Sequence, residues 1–257
     1  MYKPKKELGQ NFLLDLGFVR KMVDALDLKN GDEIVEIGPG LGILTEYLSE
    51  RMSMDQMTVH AVELDDRFVS KLGEMFKSNY SLEVVHADIL RWLPTFVPKK
   101  DFKILGSLPY YITSPILHTI IRQPVLPEIC VLLMQKEVAE KIFETAPNGS
   151  YLSNLIHTFY NVELLSVVSK KLFDPSPKVD GGIIKLSKKT QREIPYEEAH
   201  YFEGFLHKGF SKPRKMLNKT FYKEMLEKLN IDNTLRPQHL SLSEWLALYK
   251  ESRISSR

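Results

Sequence analysis

The sequence predicts an α/β fold, a doubly wound and mostly parallel sheet followed by a small C-terminal helical domain. Three observations carry this expectation. Short β-branched runs alternate with helical patterns over the first three-quarters of the chain, as crossovers between parallel strands require. A glycine-rich turn, Gly38-Pro39-Gly40-Leu41-Gly42, joins the first such run to the helix after it. Beyond the polar stretch 187–195 the strand signals cease and the pattern is helical.

In chain order, a helix is expected over 14–26, where Phe18, Met22 and Leu26 share one face. Strands are expected at 33–37, 58–64, 82–86, 103–105 and 129–134, with helices at 43–51, 67–76, 115–122 and 135–143 between or after them. After a helix at 151–159, two strand-like runs at 162–168 and 179–186 follow each other without a helix. That succession predicts an antiparallel pair closing the sheet. Residues 173–178 read as a connection outside the sheet, since Pro175 and Pro177 have no N–H to give a ladder. The expected domains are 1–187, carrying the sheet, and 188–257, helical. In the second, Ser241-Leu242-Ser243-Glu244 is a capping box ahead of Trp245, Leu246 and Leu248.

The 257 residues are 43% hydrophobic and 26% charged, ordinary for a soluble globular protein and unlike collagenous, disordered or disulfide-scaffold chains. Cys130 is the sole cysteine and sits in the apolar run 129–134, so a buried thiol is expected. The seven histidines show no ligand spacing, and no metal site is expected. No apolar stretch approaches the ~18 residues of a membrane span. The opening residues are basic but lead into Gly9-Gln10-Asn11 rather than an apolar signal region, so a cytoplasmic protein is expected. The net charge is only +2, with 35 basic against 33 acidic residues. Its distribution says more. Lys208, Lys212, Arg214, Lys215, Lys219 and Lys223 fall in a stretch with no acid, and Lys3, Lys5 and Lys6 crowd the start. Such blocks are commonly solvated faces, and they are also what a site for a nucleic-acid backbone requires.

The glycine turn lies between a strand and a helix, where glycine lets the backbone turn sharply and approach a ligand closely. Glu63 ends the next strand, 21 residues after Gly42, where an acid can accept hydrogen bonds from ribose hydroxyls. Asp88 follows the third strand, in position to meet an adenine amine. The spacing Gly-x-Gly-x-Gly, preceded by Glu36, departs from the dinucleotide fingerprint Gly-x-Gly-x-x-Gly. It suits S-adenosylmethionine, which carries adenosine and an amino acid but no pyrophosphate. A tight turn with surface acids explains any one of these features. Three acids and three glycines in order at strand ends favour the cofactor, and hence a Rossmann-like sheet of the class I S-adenosylmethionine-dependent methyltransferase type.

Gly106-Ser107-Leu108-Pro109-Tyr110-Tyr111 follows the fourth strand. Its chemistry fits methylation of an exocyclic amine, whose lone pair is delocalised into the purine ring. Acceptors on the amine protons, the Ser107 side chain and the Leu108 carbonyl, would localise that pair. Pro109 would hold the loop and Tyr110 would offer a face for the base. An isolated Leu-Pro-Tyr is more often a proline turn with core tyrosines; its place after the fourth strand favours the chemical reading.

The residues resemble the KsgA/RsmA family of small-subunit rRNA adenine dimethyltransferases, related to the Erm resistance methyltransferases. The resemblance spans essentially the whole chain: Leu8-Gly9-Gln10-Asn11-Phe12-Leu13, the turn from Glu36 to Gly42, Glu63, Asp88, Leu108-Pro109-Tyr110, Phe173-Asp174-Pro175-Ser176-Pro177-Lys178-Val179, and Arg236-Pro237-Gln238-His239-Leu240-Ser241-Leu242. The last of these favours KsgA over Erm. The resemblance implies transfer of four methyl groups to N6 of two adjacent adenosines near the 3′ end of small-subunit rRNA, with the small ribosomal subunit as partner, no membrane, and a monomer. It places Asn11 and Leu13 near the cofactor's methionine end, Gly38 and Gly40 beneath it, Glu63 on ribose, Asp88 on adenine and Ser107 beside them. Phe173 would stack on the target base opposite Tyr110, and Lys208, Lys212, Arg214, Lys215 and Lys219 would contact RNA.

Two departures bear on activity. The family usually carries Asn before Leu-Pro-Tyr, where this chain has Ser107, whose hydroxyl is shorter. It tends to read Phe-Ser-x-Arg-Arg-Lys where this chain has Phe210-Ser211-Lys212-Pro213-Arg214-Lys215, one possible phosphate contact fewer. An RNA-binding assembly factor on the same fold with weak or lost catalysis is therefore the second reading, and an Erm-like enzyme of the large subunit the third. A nicotinamide oxidoreductase has the wrong glycine spacing.

Overall fold

The computed structural model describes residues 4–5, 8–52 and 57–254; Lys3 and Lys6 of the N-terminal basic cluster lie outside them. The chain opens with β1 (Phe12–Leu13) and α1 (Leu16–Asp24), then β2 (Glu33–Ile37), α2 (Ile43–Met52), β3 (Thr58–Glu63), α3 (Asp66–Met75) and β4 (Leu82–His86). A single-turn α4 (Ile89–Trp92), β5 (Phe102–Ser107), α5 (Thr113–Ile121), β6 (Ile129–Gln135), α6 (Lys136–Phe143) and α7 (Tyr151–Phe159) follow. The remainder is β7 (Tyr160–Val168), β8 (Phe173–Asp174), β9 (Gly181–Lys188), α8 (Ala199–Phe210), α9 (Lys223–Lys228) and α10 (Leu242–Ile254).

Seven strands form one sheet in the order β4-β3-β2-β5-β6-β9-β7. The five from β4 to β6 are parallel, and β9 runs antiparallel to β6. Helices flank these strands along the chain, and Ile34, Val35, Ile104, Leu105 and Val131 are completely buried. Burial on both faces explains why β6 reads as an unbroken apolar run over Ile129–Met134 rather than an alternating one. The strand order reverses between β2 and β5, where Ile37 lies opposite Gly106. Crevices at the carboxyl ends of strands beside such a reversal are where ligands bind in sheets of this kind.

Local chemistry sets the element ends. Asp15 caps α1 by accepting from the Gly17 and Phe18 amides, so the helix begins at Leu16 rather than 14. Residues 173–174, expected to lie outside any sheet, instead pair as β8 with β1: Phe12 faces Asp174 and Leu13 faces Phe173. Two residues are too few to show a period, and their partner is remote in sequence, so no local signal marks this ladder.

The chain divides into two compact units, Met1–Ala139 with Glu163–Lys188, and Glu140–Val162 with Lys189–Arg257. The expected boundary at 187–188 falls one residue before the third passage between the units, at 188–189. Within the second unit, residues 140–162 are held to the later residues by hydrogen bonds: the Tyr151 hydroxyl to Glu203 at 3.2 Å, the Gly149 amide to the Gln238 carbonyl at 3.1 Å, and the Lys189 amide to the Phe159 carbonyl at 3.0 Å. The Ser241–Glu244 capping box forms at the start of α10, with Ser241 N donating to the Glu244 carboxylate at 2.7 Å and Glu244 N to the Ser241 hydroxyl at 3.3 Å. Among the described residues, no helix is long and apolar enough to cross a membrane.

Candidate active site

In the first unit, the carboxyl ends of β2, β3, β4 and β5 and the residues around β1 line an open cleft of about 1100 Å³, solvent at its mouth included. It brings together Asn11, Leu13, Gly38, Gly40, Glu63, Asp88, Ser107, Leu108, Pro109 and Tyr110. Phe173 is not among its lining residues. That ring is 5% exposed and packs in the core, 3.2 Å from where a Cβ on Gly181 would stand.

The glycine turn makes the floor. Gly38 has φ +64°, and a Cβ built on it would meet nothing within 4 Å, so its bare backbone faces free space. Gly40, with φ +55°, has the Phe12 ring 2.9 Å from the position of a Cβ, so any side chain there would displace β1. An open strip of backbone suits a ligand that packs flat against it, as the methionine and ribose portions of S-adenosylmethionine would.

Glu63 is 7% exposed at the end of β3. Its Oε2 accepts from the Gly40 amide at 2.9 Å and its Oε1 from the Leu64 and Asp65 amides at 2.8 Å each. Burial raises its pKa against the opposing pull of these three donors, and the charge of Asp65 adds a smaller push. The carboxylate thus ties the glycine turn to the end of β3 and keeps one of its roughly four acceptor sites, on Oε2, free for a ligand. Asp88 caps α4 by accepting from the Leu90 amide at 2.9 Å. Beneath the turn, Glu36 is completely buried, and among the described residues neither of its carboxyl oxygens meets a partner of good hydrogen-bond geometry, the nearby Thr45 hydroxyl included. Burial pushes its pKa up to about 8, with a lesser downward pull from Thr45 and a further push from Glu63.

Ser107 is the last residue of β5, paired with Leu133 of β6. The Leu108 amide donates to the Leu133 carbonyl at 2.8 Å, and the Pro109 carbonyl accepts from the Ile112 amide and the Thr113 hydroxyl, both at 3.2 Å. These bonds hold the loop from both sides. Neither the Ser107 hydroxyl nor the Leu108 carbonyl has a hydrogen-bond partner among the described residues. The Tyr110 hydroxyl is buried without a partner among the described residues; burial, then the charge of Asp180, pushes its pKa up to about 12, so the phenol is neutral.

Sequence reasoning passed over Tyr111. It is 55% exposed, lines the cleft, and lays its ring 3.1 Å from a Cβ position on Gly9. Burial, then the charge of Asp88, raises its pKa. An aromatic directly after the reactive tripeptide was the available signal. In the second unit, Lys208, Lys212, Arg214, Lys215 and Lys219 are all exposed, and none pairs with an acid among the described residues. Lys223 does pair, with Glu227 at 3.3 Å.

Comparison with known proteins shows the family and the fold. A sequence model of the ribosomal RNA adenine dimethylase family matches residues 1–253. The chain is 35% identical over 262 residues to the ribosomal RNA small subunit methyltransferase A of Dehalococcoides mccartyi strain CBDB1, covering 97% of this chain and 88% of that one. It is 34% identical to the protein of the same name from Lactiplantibacillus plantarum, over 95% of this chain and 88% of that one. Among solved structures, a dimethyladenosine transferase from Plasmodium falciparum superposes with a TM-score of 0.79 at 25% identity, covering 95% of this chain and 98% of that one. The 23S rRNA methyltransferase ErmE shares the fold, with a TM-score of 0.75 at 24% identity over 93% of this chain and 98% of that one.

Proposed function

The chain belongs to the ribosomal RNA adenine dimethylase family, and from that premise we propose how its residues divide the work. It is an S-adenosylmethionine-dependent methyltransferase acting on adenine of small-subunit rRNA. The finer reading is that it dimethylates N6 of two adjacent adenosines near the 3′ end of that RNA, as a cytoplasmic monomer.

The observation that carries the assignment of roles is the unpaired Ser107 hydroxyl and Leu108 carbonyl, side by side on a braced loop at the strand reversal. Bound in the cleft, S-adenosylmethionine supplies an electrophilic methyl group. Glu63 accepts from ribose, Asp88 from the adenine amine, and Gly38 and Gly40 leave the floor clear. Asn11 and Leu13 line the methionine end. Ser107 and Leu108 accept hydrogen bonds from the target amine, drawing its lone pair out of the ring and aiming it at the methyl donor. Pro109 sets the loop and the neutral ring of Tyr110 supports the flipped base. Phe173, buried in the core beside β1, supports the wall of the cleft rather than the base. The cations Lys208, Lys212, Arg214, Lys215 and Lys219 hold phosphates.

The test is single-turnover methylation of a small subunit with saturating S-adenosylmethionine, which keeps cofactor affinity out of the comparison. Ser107→Ala should slow transfer roughly 10–1000-fold, the scale of losing one positioned polar group. Ser107→Asn should retain activity, and Tyr110→Ala should be at least as damaging as the alanine at 107. Unchanged rates in Ser107→Ala would leave the Leu108 carbonyl as the sole acceptor. A wild-type chain that binds the subunit but transfers nothing would favour the assembly-factor reading.

A further inference from the structure

Residues 8–13 form one wall of the cleft, yet beyond a two-residue ladder they belong to no sheet. Among the described residues, the polar side-chain ties from residues 4–11 to the rest of the chain end on two neighbours, Asp65 and Asp66. Lys5 Nζ donates to Asp65 Oδ1 at 3.2 Å and stands 3.8 Å from Asp66. Gln10 Nε2 donates to Asp65 Oδ2 at 2.8 Å, and the Lys5 amide donates to Gln10 Oε1 at 2.7 Å, joining the two ties.

The receiving carboxylate is unusual for its burial. The Asp65 side chain has no exposed surface. Arg67 already satisfies its charge, with Nε at 2.9 Å and Nη2 at 2.6 Å on separate oxygens, and the Arg67 amide donates to it as the cap of α3. The strap from Lys5 to Gln10 therefore adds to an ion pair that is complete without it. On its other side, the Asp65 backbone N–H donates to Glu63 Oε1 at 2.8 Å. One residue thus holds both the N-terminal wall and the acid facing it across the turn.

We propose that Asp65 is a positioning residue for the cofactor cleft: it latches the strap through Gln10 and Lys5 while orienting Glu63, so that the wall and the ribose-facing carboxylate are set together. The proposal rests on the cofactor reading given above. Its first consequence needs no cofactor. Asp65→Ser keeps a side-chain oxygen to cap α3 and loses the latch, so hydrogen exchange on the full chain should quicken at least about 10-fold at residues 8–14 while α3 keeps its protection. Unchanged exchange at 8–14 overturns the latch, and so does loss of protection across α3 alone.

Calorimetry with S-adenosylmethionine supplies the second readout. Asp65→Ser and Gln10→Ala should each raise Kd roughly 5–30-fold, as for loss of a hydrogen bond to a charged group. The double variant should be no weaker than the weaker single, because Gln10→Ala removes a tie that Asp65→Ser has already broken. Variants that bind as tightly as wild type, or whose effects multiply, overturn the proposal alone. A wild-type chain that does not bind overturns the cofactor reading and the proposal with it.

Discussion

At the scale of single residues, the ground beneath the glycine turn holds a completely buried carboxyl, Glu36, short of hydrogen-bond partners among the described residues. A carboxyl with a pKa of about 8 in the folded chain and an ordinary 4.5 when unfolded keeps its proton longer in the native state. Stability is then insensitive to this group below about pH 4.5, falls as pH rises through the interval, and levels off above about pH 8. At about 1.4 kcal/mol per pH unit the loss reaches up to about 5 kcal/mol. Glu36→Gln abolishes the titration. Urea unfolding at about pH 5 and about pH 9 should therefore show a difference several kcal/mol smaller in the variant than in wild type. The same difference in both would assign the pH dependence to another group. The acid was visible in the sequence as part of the glycine motif. Its missing partners were not, because a carboxyl's surroundings come from strands and helices that local sequence does not assemble.

At the scale of elements, α8 carries two glycines in opposite circumstances. Gly204 is exposed, and a Cβ on it would meet nothing within 4 Å. A Cβ on Gly209 would stand 2.5 Å from the Trp245 ring of α10, closer than any real contact allows. Gly204→Ala should stabilise the chain by about 0.5–1 kcal/mol through helix propensity. Gly209→Ala should destabilise it by about 1–3 kcal/mol, since the overpacked ring must move and the propensity gain is smaller. Equilibrium denaturation of the two variants checks both signs. The sequence marks the region beyond 195 as helical without bounding its helices, and the capping box at Ser241 marks one start. Only packing tells the two glycines apart.

At the scale of the whole molecule, charge is distributed by unit rather than in total. Within the near-neutral chain, Lys208, Lys212, Arg214, Lys215 and Lys219 of the second unit are exposed and pair with no acid among the described residues. If Arg214 and Lys215 each hold one phosphate, replacing both with Ala should lower the slope of log binding constant against log salt by roughly 1–2 units. A slope equal to wild type would mean a solvated face. The affinity should fall similarly for unrelated RNA sequences, because phosphate contacts carry no base information.

The sequence by itself determined the parallel sheet, the glycine turn and the order of Glu63, Asp88 and Ser107 along it. Strand periodicity and turn chemistry are local, and connection rules leave few ways to assemble such elements. It also marked the helical C-terminal region and its capped last helix. Tertiary structure alone decided that Phe173 lies in the core on β8 rather than in the cleft, and that 140–162 packs with the C-terminal residues. It likewise decided that Asp65 receives the N-terminal strap. Each of these depends on partners far away in the chain, and contacts closed over long loops leave no periodic trace in the residues that make them.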